Sequence, residues 1–310
     1  MIKEIIRMIK KIIRKIIDRL FARKLDDIKI QKGILFEKQL EKNLKNIKNL
    51  DETYFKVFSQ DTEDGIIQYL LKSLSITNVK FVEIGTQDYS ESNTRYLLET
   101  MRCDGLIIDP YPKLEEKIKS FMKIWTNNLK IYNDYIEAKN INDVLEKYTF
   151  EKNLDFFSID IDSIDYWVLK SLKPKISKIL VLEYNPYFGP NKNICAPNID
   201  SFDRFDYHYT GFCWGASLKA YIKLMANKGY TFLGTNRLNC NAFFILSELC
   251  EKISINIPNE EDLSKYTNVK FGVLKNLNGK LVNMDELKNE IDSVNVYDLD
   301  REKIVPYKET

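Results

Sequence analysis

The sequence has few of the features that mark several specialised classes of protein. Its five cysteines, Cys103, Cys195, Cys213, Cys240 and Cys250, include no C-x-x-C pair, which argues against a disulfide framework or a zinc knuckle. No apolar run reaches the roughly 18 residues that span a bilayer. No compact apolar region with a small-residue cleavage site occurs either, so we expect no secretory signal. These absences predict a protein that stays in the reducing cytoplasm and is not exported.

Glycine and proline are also scarce, and the net charge is small. Only 11 Gly and 8 Pro occur among 310 residues, which excludes collagen-like and low-complexity chains. The 47 basic and 45 acidic residues leave a net charge of +2, so no global field favours nucleic acid as a partner. With 44% hydrophobic residues, the composition predicts one large globular domain with appendages.

Charge is concentrated at the N-terminus, where residues 1–24 contain nine Lys or Arg and two acids. Isoleucines there recur at three- and four-residue spacing, which predicts a basic amphipathic helix over residues 1–30. Such a helix suits the inner face of an anionic membrane, or alternatively packs on its own domain or on a second subunit of a homo-oligomer. A helical segment that leads into the main domain is predicted over 31–76, and it includes a helical stretch from Leu35 to Phe58.

Short apolar runs alternate with helical periods beyond residue 64. This pattern predicts an α/β fold, a Rossmann-like, doubly wound, seven-stranded sheet with an antiparallel last strand. The predicted domain covers 77–250, and a C-terminal extension covers 251–310. The expected strands are Val79–Glu83, Gly105–Asp109, Leu129–Tyr132, Leu154–Ile159, Ile176–Glu183, Tyr230–Gly234 and Ala242–Leu246.

In such a sheet, ligands bind beyond the carboxyl ends of the strands. The first strand ends in Glu83 and is followed by Gly85, and the second ends in Asp109. A glycine allows close approach of a ligand, and a carboxylate at the second strand can accept both hydroxyls of a ribose. Because no G-x-G-x-x-G is present, this arrangement favours a nucleoside cofactor without a cradled pyrophosphate.

These strand ends, with the closing hairpin, resemble class I S-adenosylmethionine-dependent methyltransferases over roughly residues 60–250. Further strings resemble the FkbM-like bacterial group associated with surface-polysaccharide modification. They are SQDTEDG at 59–65, SIDID at 158–162, EYNP at 183–186, GASL at 215–218 and NAFF at 241–244. Gln87 and Tyr89 depart from the pattern, since they stand where further glycines usually occur.

The resemblance implies roles for individual residues. Glu83, Gly85 and Thr86 would face the methionine part of S-adenosylmethionine, and Asp109 would hold its ribose. The adenine would lie near Pro110 and near the Asn133 and Asp134 that follow the third strand, and Asp160 would reach the cofactor's amino group. The alternatives are that Glu83 caps a helix and that Asn133 and Asp134 form a turn.

Oxygen ligands follow the fourth and fifth strands. Asp160, Asp162, Glu183 and Asn185 form a candidate site for Mg²⁺ or Mn²⁺, cations that prefer such ligands. Metal-dependent O-methyltransferases use acids and an Asn at comparable positions. The alternative is that Asp160 binds the cofactor while Asp162 or Asp165 caps the next helix.

An aromatic segment lies in a predicted substrate lid at 186–214. His208 is the only histidine and, with Asp160, a candidate catalytic residue, because a base that removes the hydroxyl proton would assist transfer to an alcohol. Tyr207, Tyr209 and Trp214 are candidate substrate residues that would stack on a sugar ring. The alternative is ordinary packing of an aromatic lid.

The sequence therefore predicts an O-methyltransferase that acts on a hydroxyl of a nucleotide-linked sugar or of a capsule or lipopolysaccharide glycan. One rival is a metal-dependent glycosyltransferase, because Asp160-Ile161-Asp162 reads as a D-x-D triplet. The other rival is a membrane-recruited scaffold that has lost turnover, an interpretation prompted by the basic helix and the incomplete glycine loop.

Overall fold

A computed structural model describes residues 2–122, 128–259 and 263–310, with side chains from Phe21 onward. The helices are α1 Ile2–Asn43, α2 Glu63–Ser73, α3 Arg95–Thr100, α4 Leu114–Phe121, α5 Ile141–Tyr148, α6 Asp165–Ser171, α7 Arg204–Tyr207, α8 Leu218–Asn227 and α9 Lys288–Asp292. The strands are β1 Asn78–Ile84, β2 Arg102–Ile108, β3 Asn128–Tyr132, β4 Leu154–Ile159, β5 Ser177–Glu183, β6 Ile194–Cys195, β7 Tyr230–Thr235, β8 Asn241–Leu246, β9 Asn295–Asp298 and β10 Lys303–Pro306.

Seven strands form the main sheet, in the order β3-β2-β1-β4-β5-β8-β7. The first five are parallel, and β8 is antiparallel to both of its neighbours. The chain runs outward from β1 to β3 and then returns to continue from β4 on the other side. The predicted doubly wound sheet with an antiparallel last strand is therefore confirmed.

The strands are apolar on both faces because helices cover the sheet from both sides. Val82 and Ile84 point into one core with α5, α6 and α8. Val79 and Phe81 alternate with them and enter the second core, with α1, α2 and α3. Successive side chains enter opposite cores, so each strand is a continuous apolar run in the sequence. These runs explain why the strand bounds were predictable to within a few residues.

Helix α1 is one continuous element, and the predicted boundary at residue 30 falls inside it. It packs closely on the domain at Gly33, where an added Cβ would lie 2.7 Å from the Tyr96 hydroxyl. The predicted helical stretch from Leu35 to Phe58 is wrong beyond Asn43, since turns and a 3₁₀ segment at Leu50–Thr53 follow. Within the described ranges, none of the helices has the length and apolar composition needed to cross a bilayer.

The C-terminal residues join the domain through a second sheet. Strand β9 pairs with β10 and with β6, which belongs to the predicted lid. Tyr307 packs on Phe212 at 4.8 Å between ring centroids and donates from its hydroxyl to the Tyr187 carbonyl. The five cysteines, all within the described ranges, form no disulfide.

Candidate functional site

A cavity of about 1140 Å³ opens at the carboxyl ends of β1, β2, β4 and β5, the place where doubly wound sheets bind ligands. We call the part lined by Gly85, Asp109, Pro110 and Asp134 the β1–β3 side. We call the part lined by Asp160, Asp162, Glu183 and Arg204 the β4–β5 side.

Gly85 joins the two sides of the cavity. Its φ is +83°, and a Cβ there would lie 1.5 Å from the backbone oxygen of Asp160. The Asp160 amide also donates to the Ile84 carbonyl at 3.0 Å. Only glycine combines this φ with this close approach, so Gly85 is required by the backbone as well as lining the cavity.

The two residues that replace expected glycines keep left-handed backbone conformations. Gln87 has a φ of +49° and Tyr89 a φ of +63°. The Gln87 amide donates to the Asp109 Oδ2 at 2.7 Å, and the buried Tyr89 hydroxyl bonds to the Thr94 hydroxyl at 2.7 Å. Side-chain anchors thus hold the loop in a shape that glycines would adopt freely.

Asp109 is buried at the end of β2 and lines the cavity. Its Oδ1 accepts the Tyr111 amide and its Oδ2 the Gln87 amide, each at 2.7 Å. Burial raises the pKa of this carboxyl, while the amides oppose the shift. Since an ionised carboxylate offers about four acceptor positions, capacity remains for hydroxyl donors on a ligand.

The other candidates near the predicted adenine position differ in whether they line the cavity. Pro110 and Asp134 line the cavity. Asn133 is not among the lining residues, and its amide nitrogen donates to the carbonyls of Asp109 at 2.8 Å and Tyr111 at 2.7 Å. This side chain therefore ties the loop after β3 to the loop after β2, and its role in the cofactor site stays a prediction.

Glu83 bonds to the loop before α3, and its role in cofactor binding stays a prediction. Its buried carboxylate accepts the amides of Asn93 at 2.7 Å and Thr94 at 3.0 Å, just before α3, and burial raises its pKa to about 7. Neither Glu83 nor Thr86 is among the cavity-lining residues. The Thr86 hydroxyl is buried without a hydrogen-bond partner within the described part of the chain.

Three carboxylates converge on the β4–β5 side. Oxygen atoms of Asp160, Asp162 and Glu183 lie within 4.8 Å of one another. Burial, with mutual repulsion, holds the pKa of Asp160 and of Glu183 above the usual range. The Glu183 Oε2 is enclosed and has no hydrogen-bond donor among the described residues. Such a cluster is suited to hold a proton or a cation.

Arg204 is the one cation among the described residues that line the cavity. Its Nη1 lies 2.6 Å from Asp162 Oδ1. The guanidinium is 4.9 Å from the ring centroids of both Phe205 and Trp214. The short helix α7 thus brings a positive charge against the acidic cluster. The sequence reasoning named His208, Tyr207 and Tyr209 near this helix and missed Arg204.

Two neighbouring polar residues have structural roles. The Asn185 Oδ1 accepts the Tyr187 amide at 3.1 Å, and its Nδ2 donates to the carbonyls of Phe212 and Trp214. The polar atoms of Asn185 thus hold the lid, and its role as a metal ligand stays a prediction. Asp165, the first residue of α6, accepts the amides of Ile161 and Ser163 in the preceding loop, so it holds that loop rather than capping the helix.

His208, Tyr207 and Tyr209 are not among the residues that line the cavity, and their roles at the site stay predictions. His208 Nδ1 bonds to the Thr210 hydroxyl at 2.8 Å, and its ring packs on Tyr209. The Tyr207 hydroxyl donates to the Asn295 carbonyl at 3.1 Å.

Trp214 does line the cavity, and other aromatic residues join it. The wall consists of Phe202, Phe205, Trp214 and Phe271. The Trp214 Nε1–H is buried without an acceptor among the described residues. Phe271 comes from the C-terminal extension, to which the sequence reasoning assigned no chemistry, and no periodic pattern in that segment signals it.

The SQDTEDG string supports the cavity floor. Asp64 Oδ2 accepts the amides of Val57, Phe58 and Ser59. Glu63 Oε1 accepts both Asn236 and Asn241 side-chain amides, at 2.6 and 2.9 Å. The string therefore acts mainly as scaffold, while Gln60 within it reaches the cavity.

No family model matches the sequence, and no curated protein matches it. An O-methyltransferase family protein from Burkholderia thailandensis is 10% identical, with a TM-score of 0.32, over 59% of this chain and 57% of that one. A pericyclic reaction enzyme is 13% identical, with a TM-score of 0.32, over 57% and 46%. Coclaurine N-methyltransferase bound to N-methylheliamine and SAH is 11% identical, with a TM-score of 0.31, over 70% and 72%. This chain spans about half of the first two proteins, and likeness at this level does not bear on its activity.

Proposed function

We propose that this chain is an S-adenosylmethionine-dependent O-methyltransferase whose acceptor is a sugar hydroxyl. The observation that carries the proposal is the meeting of two sites in one cavity. A buried carboxylate with free acceptor capacity, Asp109, lies on the β1–β3 side, and the acidic cluster lies on the β4–β5 side. A nucleoside on the first side would present its reactive group to the second.

The residues present fit the cofactor. Asp109 would accept the ribose hydroxyls, and Ile108, Pro110 and Ile136 offer apolar surface to a base. Eight carboxyl groups and one guanidinium line the cavity, an electrostatic environment that favours a positively charged sulfonium over an anionic ligand.

The acidic cluster fits the acceptor step. Asp160, Asp162 and Glu183 would hold a Mg²⁺ or Mn²⁺ ion, which when bound would lower the pKa of an acceptor hydroxyl. Carboxyl groups with raised pKa values are also suited to accept the hydroxyl proton near neutral pH. In the displacement, the oxygen–carbon bond forms as the carbon–sulfur bond breaks, and without a bound cation the proton passes to Asp160 or Glu183.

A sugar acceptor is supported by the composition of the wall. Phe202, Phe205 and Trp214 give the cavity an aromatic border suited to a pyranose, and the unpartnered Trp214 Nε1–H would donate to a sugar oxygen. Rate enhancement would come chiefly from holding the hydroxyl oxygen, methyl carbon and sulfur in line.

Binding and turnover can be tested separately. Thermal shift with S-adenosylhomocysteine, compared with nucleotide sugars with and without Mn²⁺, measures which ligand stabilises the fold. Transfer of a labelled methyl group to a panel of nucleotide sugars and glycan precursors measures activity. We expect stabilisation by S-adenosylhomocysteine and label on a sugar oxygen. Binding without transfer to any acceptor would favour a scaffold.

The second candidate is a metal-dependent glycosyltransferase, favoured by the placement of both Asp160 and Asp162 on the cavity wall. A nucleotide sugar would bring phosphates into a strongly acidic cavity, which only bound cations would offset. Stabilisation by a nucleotide sugar with Mn²⁺, together with no response to S-adenosylhomocysteine, would establish this candidate and overturn the methyltransferase.

A further inference from the structure

The described side chains of α1 begin with an exposed extension, residues 21–29. All of these residues are exposed except Asp26. Within this extension, Asp26 pairs with the guanidinium of Arg95 at 2.5 Å, and Lys29 Nζ lies 5.6 Å from the Phe58 ring centroid. The 42 residues of α1 make a helix about 63 Å long.

Large apolar side chains lie uncovered on this extension. Phe21, Leu25 and Ile28 are 66%, 57% and 61% exposed. Their four- and three-residue spacing places them on one helix face. Soluble domains seldom expose a contiguous row of this kind without an interaction partner.

The charge next to this row identifies the partner. Residues 1–24 carry nine Lys or Arg and two acids, a net charge of +7, and isoleucines fill the positions between them. The rest of the chain carries a net charge of −5. An apolar row beside dense positive charge complements a surface that is apolar within and anionic outside.

A second copy of the chain is a poorer complement. Residues 25–43 hold four acids and four lysines and are therefore neutral. Two parallel α1 helices would place two segments of charge +7 side by side. Two antiparallel α1 helices would place each segment of charge +7 beside a neutral segment. Neither arrangement supplies the negative charge that a lipid surface offers.

We propose that residues 2–28 bind an anionic phospholipid surface, with the helix lying in the plane of the interface. The proposal does not depend on the reaction catalysed in the cavity. It concerns where the protein works: the helix would hold the domain beside a bilayer while the seven-stranded sheet stays outside the lipid.

Cosedimentation of the full-length protein with vesicles tests this proposal. Phosphatidylcholine vesicles are compared with the same vesicles containing phosphatidylglycerol, at low and high salt. We expect binding only to the anionic vesicles and its loss at high salt. Equal binding to both vesicle types, or no binding to either, would overturn the proposal.

Paired variants show which charges act. Lys10→Gln/Lys11→Gln removes two cations from the segment, and we expect the partition coefficient to fall roughly 25-fold. Lys119→Gln/Lys152→Gln removes two exposed cations elsewhere and should leave binding unchanged. An equal loss in both variants would point to general attraction and contradict the assignment.

The second copy is tested without lipid. Light scattering of the wild type and of Phe21→Ser/Leu25→Ser measures the mass in solution, and circular dichroism checks that both proteins are folded. We expect equal masses, with vesicle binding weakened in the variant. A wild-type dimer that the variant dissociates would overturn the proposal in favour of self-association.

Discussion

The two sides of the cavity use the same kind of side chain in opposite environments. On the β1–β3 side, Asp109 accepts backbone amides at both oxygens, so its charge is held in place by the loops. On the β4–β5 side, Asp160 and Glu183 lie against each other, and Glu183 Oε2 has no donor among the described residues. The first environment suits a permanent charge that receives hydroxyls, and the second suits a group that takes up a proton or a cation.

The largest change in stability is expected at Gly85, because its backbone connects the two sides of the cavity. We expect Gly85→Ala to destabilise the fold by more than about 3 kcal/mol, since the added Cβ would overlap the Asp160 backbone. Gly279 is the matched control. Its φ is +74° and nothing lies within 4 Å of an added Cβ, so Gly279→Ala should cost only about 1 kcal/mol of backbone strain. Urea unfolding compares the two, and equal losses would contradict the role given to Gly85.

Asp109→Asn alters the β1–β3 side alone. An amide offers one acceptor oxygen where two backbone amides must be satisfied, and it removes the charge. We expect the Kd for S-adenosylhomocysteine to rise about 100-fold by calorimetry. Asp143→Asn, at an exposed acid of α5 that is not among the lining residues, should change it little. Unaltered affinity in a folded Asp109→Asn protein would remove Asp109 from the cofactor site.

The β4–β5 side should make stability depend on pH. The folded pKa of Asp160 is raised by burial, so its stabilising contribution is complete below the unfolded pKa and is lost as pH rises through the folded value. Between about pH 5 and about pH 8, wild type should lose up to about 1.4 kcal/mol per pH unit more than Asp160→Asn. Unfolding at each pH measures this difference. Asp206 is an exposed residue of the same cavity, and Asp206→Asn should follow the wild type. If the Asp160→Asn profile ran parallel to the wild-type profile, the pKa of Asp160 would not be raised in the folded protein.

The smallest effect is expected in the loop after β1. Gln87→Gly removes a side chain from a left-handed, exposed position and should change stability by less than about 1 kcal/mol, in the stabilising direction. Tyr89→Gly relieves the same strain but removes a buried ring and its bond to Thr94, so it should destabilise by about 3 kcal/mol or more. Thermal unfolding distinguishes the two, and similar losses would mean that side-chain anchors do not hold the loop.

The sheet was predictable because local pattern decides it. Apolar runs such as Leu154–Ile159 sit between helical periods, and the structure reproduces those strand bounds. Asp109 and Asp160 follow from the same logic, since the residue after a buried parallel strand must lie at the ligand-binding edge.

The roles of Glu83, Asn185 and His208 were not predictable, because each depends on which nearby donors and acceptors the tertiary fold supplies. Glu83 meets the amides before α3, Asn185 meets carbonyls of the lid, and His208 meets Thr210. Arg204 was missed for the converse reason: its partner Asp162 lies 42 residues away, and no local periodicity connects them.

The second sheet sets the order in which the molecule can be completed during translation. Strands β1 to β8 all precede Phe271, which lines the cavity, and Tyr307, which holds the lid against Phe212. A nascent chain can therefore assemble its main sheet on the ribosome while Phe271 is still missing from the cavity wall. Among the described lining residues, Phe271, Gly272 and Val273 come from the C-terminal segment, so a polypeptide stalled before them would have most of the chamber without this part of its wall.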